Sequence, residues 1–155
     1  MSTGLDTFDK TVQESNLWLK DIMDRLGTTD RHHAYSSLRA VLHAMRDRIG
    51  AESAAHLGAQ LPTLLRGLYY EGWDPTDKPT KERHEKAFLA HIARELPRAE
   101  EGEVEQGVLA VLDVLSKHID RSAAVKIAAM FPQDLRKFWP AFVQDAAKAR
   151  QQGAA

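Results

Sequence analysis

The feature of this sequence that most constrains its fold is an internal repeat, in which residues 19–66 match residues 89–136 at a constant offset of 70. The two segments share 12 identities over 48 aligned positions without a gap, whereas chance agreement on ordinary residue frequencies would give about three. Most of the matched positions are apolar, so the repeat preserves a core-facing pattern more than a chemistry. We therefore predict two equivalent halves that share one hydrophobic core.

Apolar residues in both halves recur at the three- and four-residue spacing of an amphipathic helix. In the first half, Leu19, Ile22 and Leu26 follow this spacing, and Gly27 is placed to end the helix. Asp30 is then placed to cap the next helix, because its side chain can accept hydrogen bonds from free amides of the first turn. No segment alternates strictly between apolar and polar residues, so we predict an all-α fold: two pseudo-symmetric four-helix repeats packed into one helical bundle.

The length of 155 residues fits a single helical domain. Pro75 and Pro79 lie between the two halves and mark a connecting segment. The last helix is predicted to run from Pro132 through Val143. The predicted boundaries are repeat one at about 8–73, the connecting segment at 74–80, repeat two at about 81–145 and a frayed tail at 146–155.

The charge balance and the residue types limit the class of protein. The chain carries 21 Lys and Arg against 22 Asp and Glu, a net charge of −1, which is not the balance of a generally basic nucleic-acid binder. The absence of cysteine excludes disulfides, cysteine–zinc sites and thiol catalysis. No apolar run in the sequence is long enough to cross a membrane, and its start lacks a signal-peptide pattern, so we expect a cytoplasmic protein without a membrane or nucleic-acid partner.

A short helix after Pro62 is apolar nearly all round, which is typical of a helix that is deeply buried or lies at a protein interface. Its counterpart after Pro132 is more polar, because Asp134 and Lys137 replace Leu64 and Gly67. Burial and a protein contact both remain open for the first helix. The candidate interface residues are Leu64, Leu68, Tyr69, Tyr70 and Trp73.

One polar match stands out in the repeat: Arg66 and Arg136 each follow a proline by four residues. Each arginine can pair with an acid or a carbonyl of a neighbouring helix, or the two can form an anion site that is repeated in both halves. His43 and Glu71 complete the candidate anion or ligand site in the cleft between the repeats.

The sequence has no motif that indicates catalysis. HExxH, GxSxG and the glycine-rich phosphate loops do not occur. Seven histidines are present, but none of them matches another histidine at the repeat offset, as a metal site repeated in both halves would require. We therefore predict no catalytic residue, no metal and no cofactor.

The segment AYSSLRAVLHAMRDRIGAESAAHLGAQLPTLLRGLYYEGWDP, residues 34–75, resembles the bacterial domain-of-unknown-function family 2267 (DUF2267). The segment KPTKERHEKAFLAHI, residues 78–92, is similar to the continuation of the same family. The resemblance covers roughly residues 10–145 and is most specific in the QLP…LRGLYYEGW element. It implies a small helical cytoplasmic bacterial protein, and it supplies no activity, substrate or catalytic residue.

The helix from Leu64 to Trp73 favours a protein-interaction or self-associating module, which would act as a homodimer or with another protein. The alternative is a small-ligand-binding or enzymatic domain with its site between the two repeats. The two hypotheses differ in whether polar groups converge on a concave site.

Overall fold

A computed structural model describes residues 2–100 and 102–153 of the chain. These residues form helices and connecting turns, without a strand in the described ranges, so the all-α prediction is confirmed. The helices are α1 (Asp6–Leu26), α2 (Arg31–Arg48), α3 (Ala51–Ala59), α4 (Thr63–Tyr70), α5 (Glu85–Ala93), α6 (Glu103–His118), α7 (Arg121–Ala129), α8 (Gln133–Arg136) and α9 (Ala141–Gly153).

The turn between α1 and α2 forms as the sequence predicts. Gly27 ends α1 with a φ of 67°, a left-handed conformation that a residue without a Cβ adopts easily. The side chain of Asp30 accepts hydrogen bonds from the backbone amides of His32 and His33. These bonds satisfy two first-turn amides that have no partner within the helix.

The hydrophobic core lies around α2 and α6, which pack against each other and against α1. Leu42 on α2 and Leu112 on α6 are among the fully buried side chains. The two helices approach closely where Gly107 faces Ser37, since a Cβ at position 107 would lie only 3.4 Å from Ser37 Oγ. The buried apolar side chains of these helices thus form one continuous core.

The prolines at 62 and 132 each stand immediately before a helix, with extended ψ angles of 148° and 156°. The predicted helix from Pro132 through Val143 is wrong, because α8 ends at Arg136 and α9 begins at Ala141. Pro140 separates the two helices: it has no amide to donate, and its ring disfavours the helical conformation in the residue before it. Its carbonyl then accepts from Val143 and Gln144 in the first turn of α9.

The C-terminal segment continues as a helix where the sequence predicts a frayed tail. Helix α9 extends to Gly153 and packs along α7. Val143 and Ala147, one turn apart on the same face, are fully buried in that contact. Ala154 and Ala155, the last two residues of the predicted tail, lie outside the described residues.

The non-helical segment between α4 and α5 is longer than predicted and covers residues 71–84, which we call the α4–α5 connector. The connector is attached to α2, because the amide of Thr80 donates a 2.7 Å hydrogen bond to the backbone carbonyl of Asp47. Arg48 adds a second attachment through its Nε, 2.7 Å from the carbonyl oxygen of Glu82. The connector is therefore fastened to the last turn of α2.

Candidate functional site

Helix α4 and the turn after it contain the five residues that the sequence marks as a candidate interface, and the structure separates them. Leu64 is half exposed, whereas Leu68, Tyr70 and Trp73 are partly buried against the core. Tyr69 is fully buried, and its hydroxyl donates a 2.7 Å hydrogen bond to the carbonyl of Ala54. Burial raises the pKa of this phenol far above its usual value. Tyr69 is thus a core residue, and Leu64 is the member of the set that faces solvent most.

The two matched arginines are engaged with backbone carbonyls of the turns that precede them. Arg66 donates from Nε to the carbonyl of Gly58 at 2.9 Å and from Nη2 to that of Leu61 at 3.0 Å. Arg136 donates from Nε to the carbonyl of Phe131 at 3.0 Å. Both side chains therefore satisfy carbonyls between consecutive helices, as the carbonyl-pairing alternative predicts.

His43 is buried on α2 and contacts an acceptor with each ring nitrogen. Its Nδ1 lies 3.0 Å from both carboxylate oxygens of Glu95, and its Nε2 lies 2.7 Å from the carbonyl oxygen of Leu68. Because a carbonyl can only accept, Nε2 carries a proton. This side chain bridges the end of α4 and the end of α5 rather than pointing into a cleft.

Arg39, one turn before His43, joins two acids from different segments. Its Nη1 lies 2.6 Å from Glu95 and its Nη2 lies 2.6 Å from Glu71. The hydrogen bond from Arg39 lowers the pKa of Glu71. Glu71 is largely exposed, and this surface ion pair contributes little to stability by itself. It marks the outer edge of a charged network that reaches inward to His43.

Arg46, like Arg39 and Glu95, is a residue of this network that sequence reasoning did not place in the candidate site. It is 6% exposed, and its Nη1 donates to the carbonyls of Tyr69 and Glu71, the latter at 2.9 Å. Its guanidinium thus binds free carbonyls at the C-terminal end of α4, where positive charge also suits the helix dipole. The available signal was the position of Arg46 one turn after Leu42 on an apolar face of α2, because a charge that is buried on such a face needs a partner.

A second charged cluster holds α5 to α2 through His91. Its Nδ1 lies 2.5 Å from Glu82, and its Nε2 faces Asp47 at 3.6 Å. The Asp47 carboxylate raises the pKa of His91; burial opposes this effect, and Glu82 adds to it. Burial alone would raise the pKa values of Asp47 and Glu82, but hydrogen bonds from neighbours that include His91 hold both below their usual values.

Exposed apolar side chains gather at the N-terminal end of α1 and the adjoining start of α4. Leu5 is 51%, Phe8 57% and Leu64 50% exposed. The amide of Leu64 donates to Thr11 Oγ1 at 2.9 Å, and Thr11 lies three residues after Phe8 on a neighbouring position of the helix. We call Leu5, Phe8 and Leu64 the α1–α4 surface. Sequence reasoning identified Leu64 but missed Leu5 and Phe8, which precede the first regular apolar stripe.

The concave features that the described residues form are open grooves. One groove of about 560 Å³ lies among α3, α7 and α9, and its lining does not include the predicted ligand residues Arg66, Arg136, His43 and Glu71. Within residues 2–100 and 102–153, no cluster of three or more His, Asp or Glu side chains is arranged to hold a metal ion. In the same part of the chain, no helix is both long and apolar enough to span a membrane.

Comparison with known proteins assigns the family. Residues 15–138 match the family described as uncharacterized conserved protein DUF2267. The chain belongs to the DUF2267 family. A comparison with curated proteins found no match. The DUF2267 match begins inside α1, so Leu5 and Phe8 of the α1–α4 surface lie before the matched residues, whereas Leu64 lies within them.

Proposed function

We propose that this DUF2267 protein is a self-associating interaction module in which two copies pack through the α1–α4 surface. The observation that carries the proposal is the exposure of Leu5 and Phe8 at the N-terminal end of α1 and of Leu64 at the adjoining start of α4. Grouped apolar side chains on a soluble domain are typical of a protein contact, because their burial removes apolar area from water.

The first turns of α1 supply most of this surface. We infer that the two halves are pseudo-symmetric repeats. Two pairs of helices support this inference, because their bounds differ by 70 residues: α2 and α6 end at Arg48 and His118, and α3 and α7 cover 51–59 and 121–129. On that alignment, α5 begins at the counterpart of Ser15, and α1 begins nine residues earlier, at Asp6. The extra residues add about 14 Å of helix beyond the repeated unit.

The side of α1 that carries Phe8 supports a contact rather than a solvated face. Phe8, Val12 and Leu19 follow each other at intervals of four and seven residues, so they lie on one side of the helix. Ser15, seven residues after Phe8, is the first fully buried residue of α1. The stripe that enters the core at Ser15 thus continues toward the start of α1, where Phe8 is exposed and a second copy can cover it.

The accessible area and the charge are consistent with a second copy as the occupant. The chain exposes 8899 Å² of accessible surface. One partner in a standard interface buries about 800 Å². A net charge of −1 opposes the approach of two copies only weakly, and a two-fold dimer needs a single self-complementary patch on each chain.

The state of the candidate polar residues favours this proposal over a ligand site between the repeats. His43, Arg66 and Arg136 direct their donor atoms at backbone carbonyls. Leu64, by contrast, presents half of its side chain to solvent. The apolar surface therefore offers area for a protein contact, whereas the donors of these polar side chains cited above bind within the fold.

The test is sedimentation velocity of wild-type protein, Phe8→Glu and Leu64→Glu. We expect a dimer for wild type and a monomer for both variants, since each places a charge in the proposed contact. The matched control is Leu17→Glu, because Leu17 is 56% exposed on the same helix but lies about 180° around it from Phe8. A dimer that survives both variants, or one that Leu17→Glu dissociates equally, would contradict the α1–α4 surface as the contact.

A further inference from the structure

The His91 cluster joins three segments of the chain through one side chain from each. His91 lies on α5, Asp47 on the last turn of α2 and Glu82 in the α4–α5 connector. One carboxylate faces each ring nitrogen, at 2.5 Å on the Glu82 side and 3.6 Å on the Asp47 side. All three side chains are between 13% and 16% exposed, so their interaction is only weakly screened by solvent.

A protonated ring suits both carboxylates, because imidazolium donates from both nitrogens and a neutral ring donates from one. When His91 loses its proton, Asp47 keeps the Nε of Arg46 at 3.1 Å. Glu82 loses the hydrogen bond from His91 at the same step, while Arg48 donates to its backbone carbonyl and the Thr80 side chain also lowers the pKa of its carboxyl. The Glu82 carboxylate then remains partly buried beside a neutral ring, which is unfavourable.

We propose that His91 is a pH-dependent lock that holds the α4–α5 connector on α2 while its ring is protonated and releases it on deprotonation. Thr80 reports the state of the lock, because its amide donates to the carbonyl of Asp47 next to the cluster. Opening would free the chain segment that joins the two halves. The lock is separate from the α1–α4 surface, and its failure would leave the proposed self-association untouched.

Other charged groups on the elements packed around His91 belong mainly to pairs elsewhere. The charge of Lys78 in the connector helps to lower the pKa of Asp47, and the charge of Arg83 helps to lower the pKa of Arg48. On α5 itself, Glu95 is paired with His43 and Arg39. On α6, Asp113 pairs with Arg25. On α8, Asp134 pairs with His84 and Lys137, and Lys137 also pairs with Glu85.

The perturbed titration of the cluster agrees with this geometry. The facing Asp47 carboxylate raises the pKa of His91 against the opposing effect of burial, with a further contribution from Glu82. The hydrogen bonds from His91 help to lower the pKa values of both acids despite their burial. All the ionised groups of the lock are therefore present from the acidic pH at which the two carboxyl groups lose their protons. The lock persists up to the pH at which His91 loses its proton, which lies above the ordinary value of 6.5.

The test follows the His91 ring and the Thr80 amide of the full chain by NMR between pH 5.5 and 9. We expect the ring to titrate above pH 6.5 and the protection factor of Thr80, corrected for intrinsic exchange, to fall at least tenfold over the same range. In His91→Gln, Thr80 should show low protection at every pH. His56→Gln is the control, since His56 is 76% exposed on α3.

Titration of His91 without any change in Thr80 protection would overturn the lock, and so would a pH-dependent protection that persists in His91→Gln. If His91→Gln does not fold, Glu82→Gln provides the second variant. It should move the titration of His91 toward 6.5 and weaken the pH dependence of Thr80 protection. An unchanged His91 titration in Glu82→Gln would also contradict the proposal.

Discussion

The ring of Tyr70 lies directly against the backbone of Gly58, so that α4 and α3 meet without space for a side chain between them. A Cβ built at position 58 would come within 2.8 Å of Tyr70 Cζ and 2.9 Å of its Cε2. At the equivalent positions of the second half the pair is Ala128 and Pro140. The large ring of Tyr70 is thus accommodated because Gly58, opposite it, has no side chain.

This contact predicts that Gly58→Ala destabilises the protein by about 1–3 kcal/mol, the usual effect of overpacking. Gly67→Ala is the matched control, since both glycines are helical and a Cβ at 67 meets nothing within 4 Å. The control should stabilise by about 0.5–1 kcal/mol through helix propensity alone. Urea unfolding measures both changes. The contact is refuted if the two alanine variants are equally stable, or if Tyr70→Ala does not relieve the effect of Gly58→Ala.

The common core predicts similar losses from two buried leucines that lie 70 residues apart in the sequence. Leu42→Ala and Leu112→Ala should each lower the free energy of unfolding by about 2–5 kcal/mol, because both side chains are buried. Leu17→Ala, at an exposed position on α1, should change it by less than about 0.5 kcal/mol. Chemical denaturation of the three variants is the measurement. Losses at both core positions as small as that of Leu17→Ala would contradict the core assignment.

The hydrogen bonds of Arg66 predict a structural effect without a change in anion binding. Arg66→Met keeps the apolar stem, removes the donor of the Leu61 carbonyl and leaves the Gly58 carbonyl with only the amide of Leu61, which should reduce stability by about 1–3 kcal/mol. Arg136→Met removes a single such bond and should have a smaller effect. Thermal unfolding with and without inorganic phosphate is the measurement. Phosphate stabilisation of wild type that Arg66→Met abolishes would instead favour an anion site.

The His91 cluster predicts how stability depends on pH. The folded-state pKa of His91 is raised above 6.5, so its contribution is complete below pH 6.5 and is lost as the pH rises through the folded-state value. Asp47 and Glu82 have lowered pKa values, so their contribution is present above their ordinary values of 3.8 and 4.5 and is lost as the pH falls through the lowered ones. The cluster therefore stabilises most between about pH 5 and 6.5.

Unfolding of wild type and His91→Gln at pH 6 and pH 9 measures this dependence. The stability difference between them should be larger at pH 6 and should shrink at pH 9, with His56→Gln indistinguishable from wild type at both. An equal difference at the two pH values would mean that the His91 side chain acts only through packing.

Much of the helical fold could be predicted from residue spacing, because an amphipathic stripe and its end signals are local properties. Gly27 and Asp30 mark the turn between α1 and α2 where the structure has it. The break between α8 and α9 carried its own signal in Pro140, but the apolar pattern on both sides of that proline suggested a continuous helix. Spacing identifies an apolar face without showing whether the face continues across a chain reversal.

Most of the candidate site depends on tertiary contacts that spacing does not specify. Tyr69 and Tyr70 are neighbours in one apolar helix, yet only Tyr69 is fully buried. Arg46 is buried because carbonyls at the end of α4 meet it, and these lie 23 and 25 residues further along the chain. Phe8 is exposed near the start of α1, whereas Trp18 is buried further along the same helix. In each case the decisive partner comes from another helix.

The most direct measurement of the central claim is the mass of the wild-type protein by sedimentation equilibrium over a concentration series. Self-association through the α1–α4 surface predicts a mass that rises with concentration toward twice the 17.4 kDa of one chain, and that stays at one chain for Phe8→Glu. A wild-type mass of one chain up to about 100 µM, where micromolar self-association would already be evident, would contradict the account.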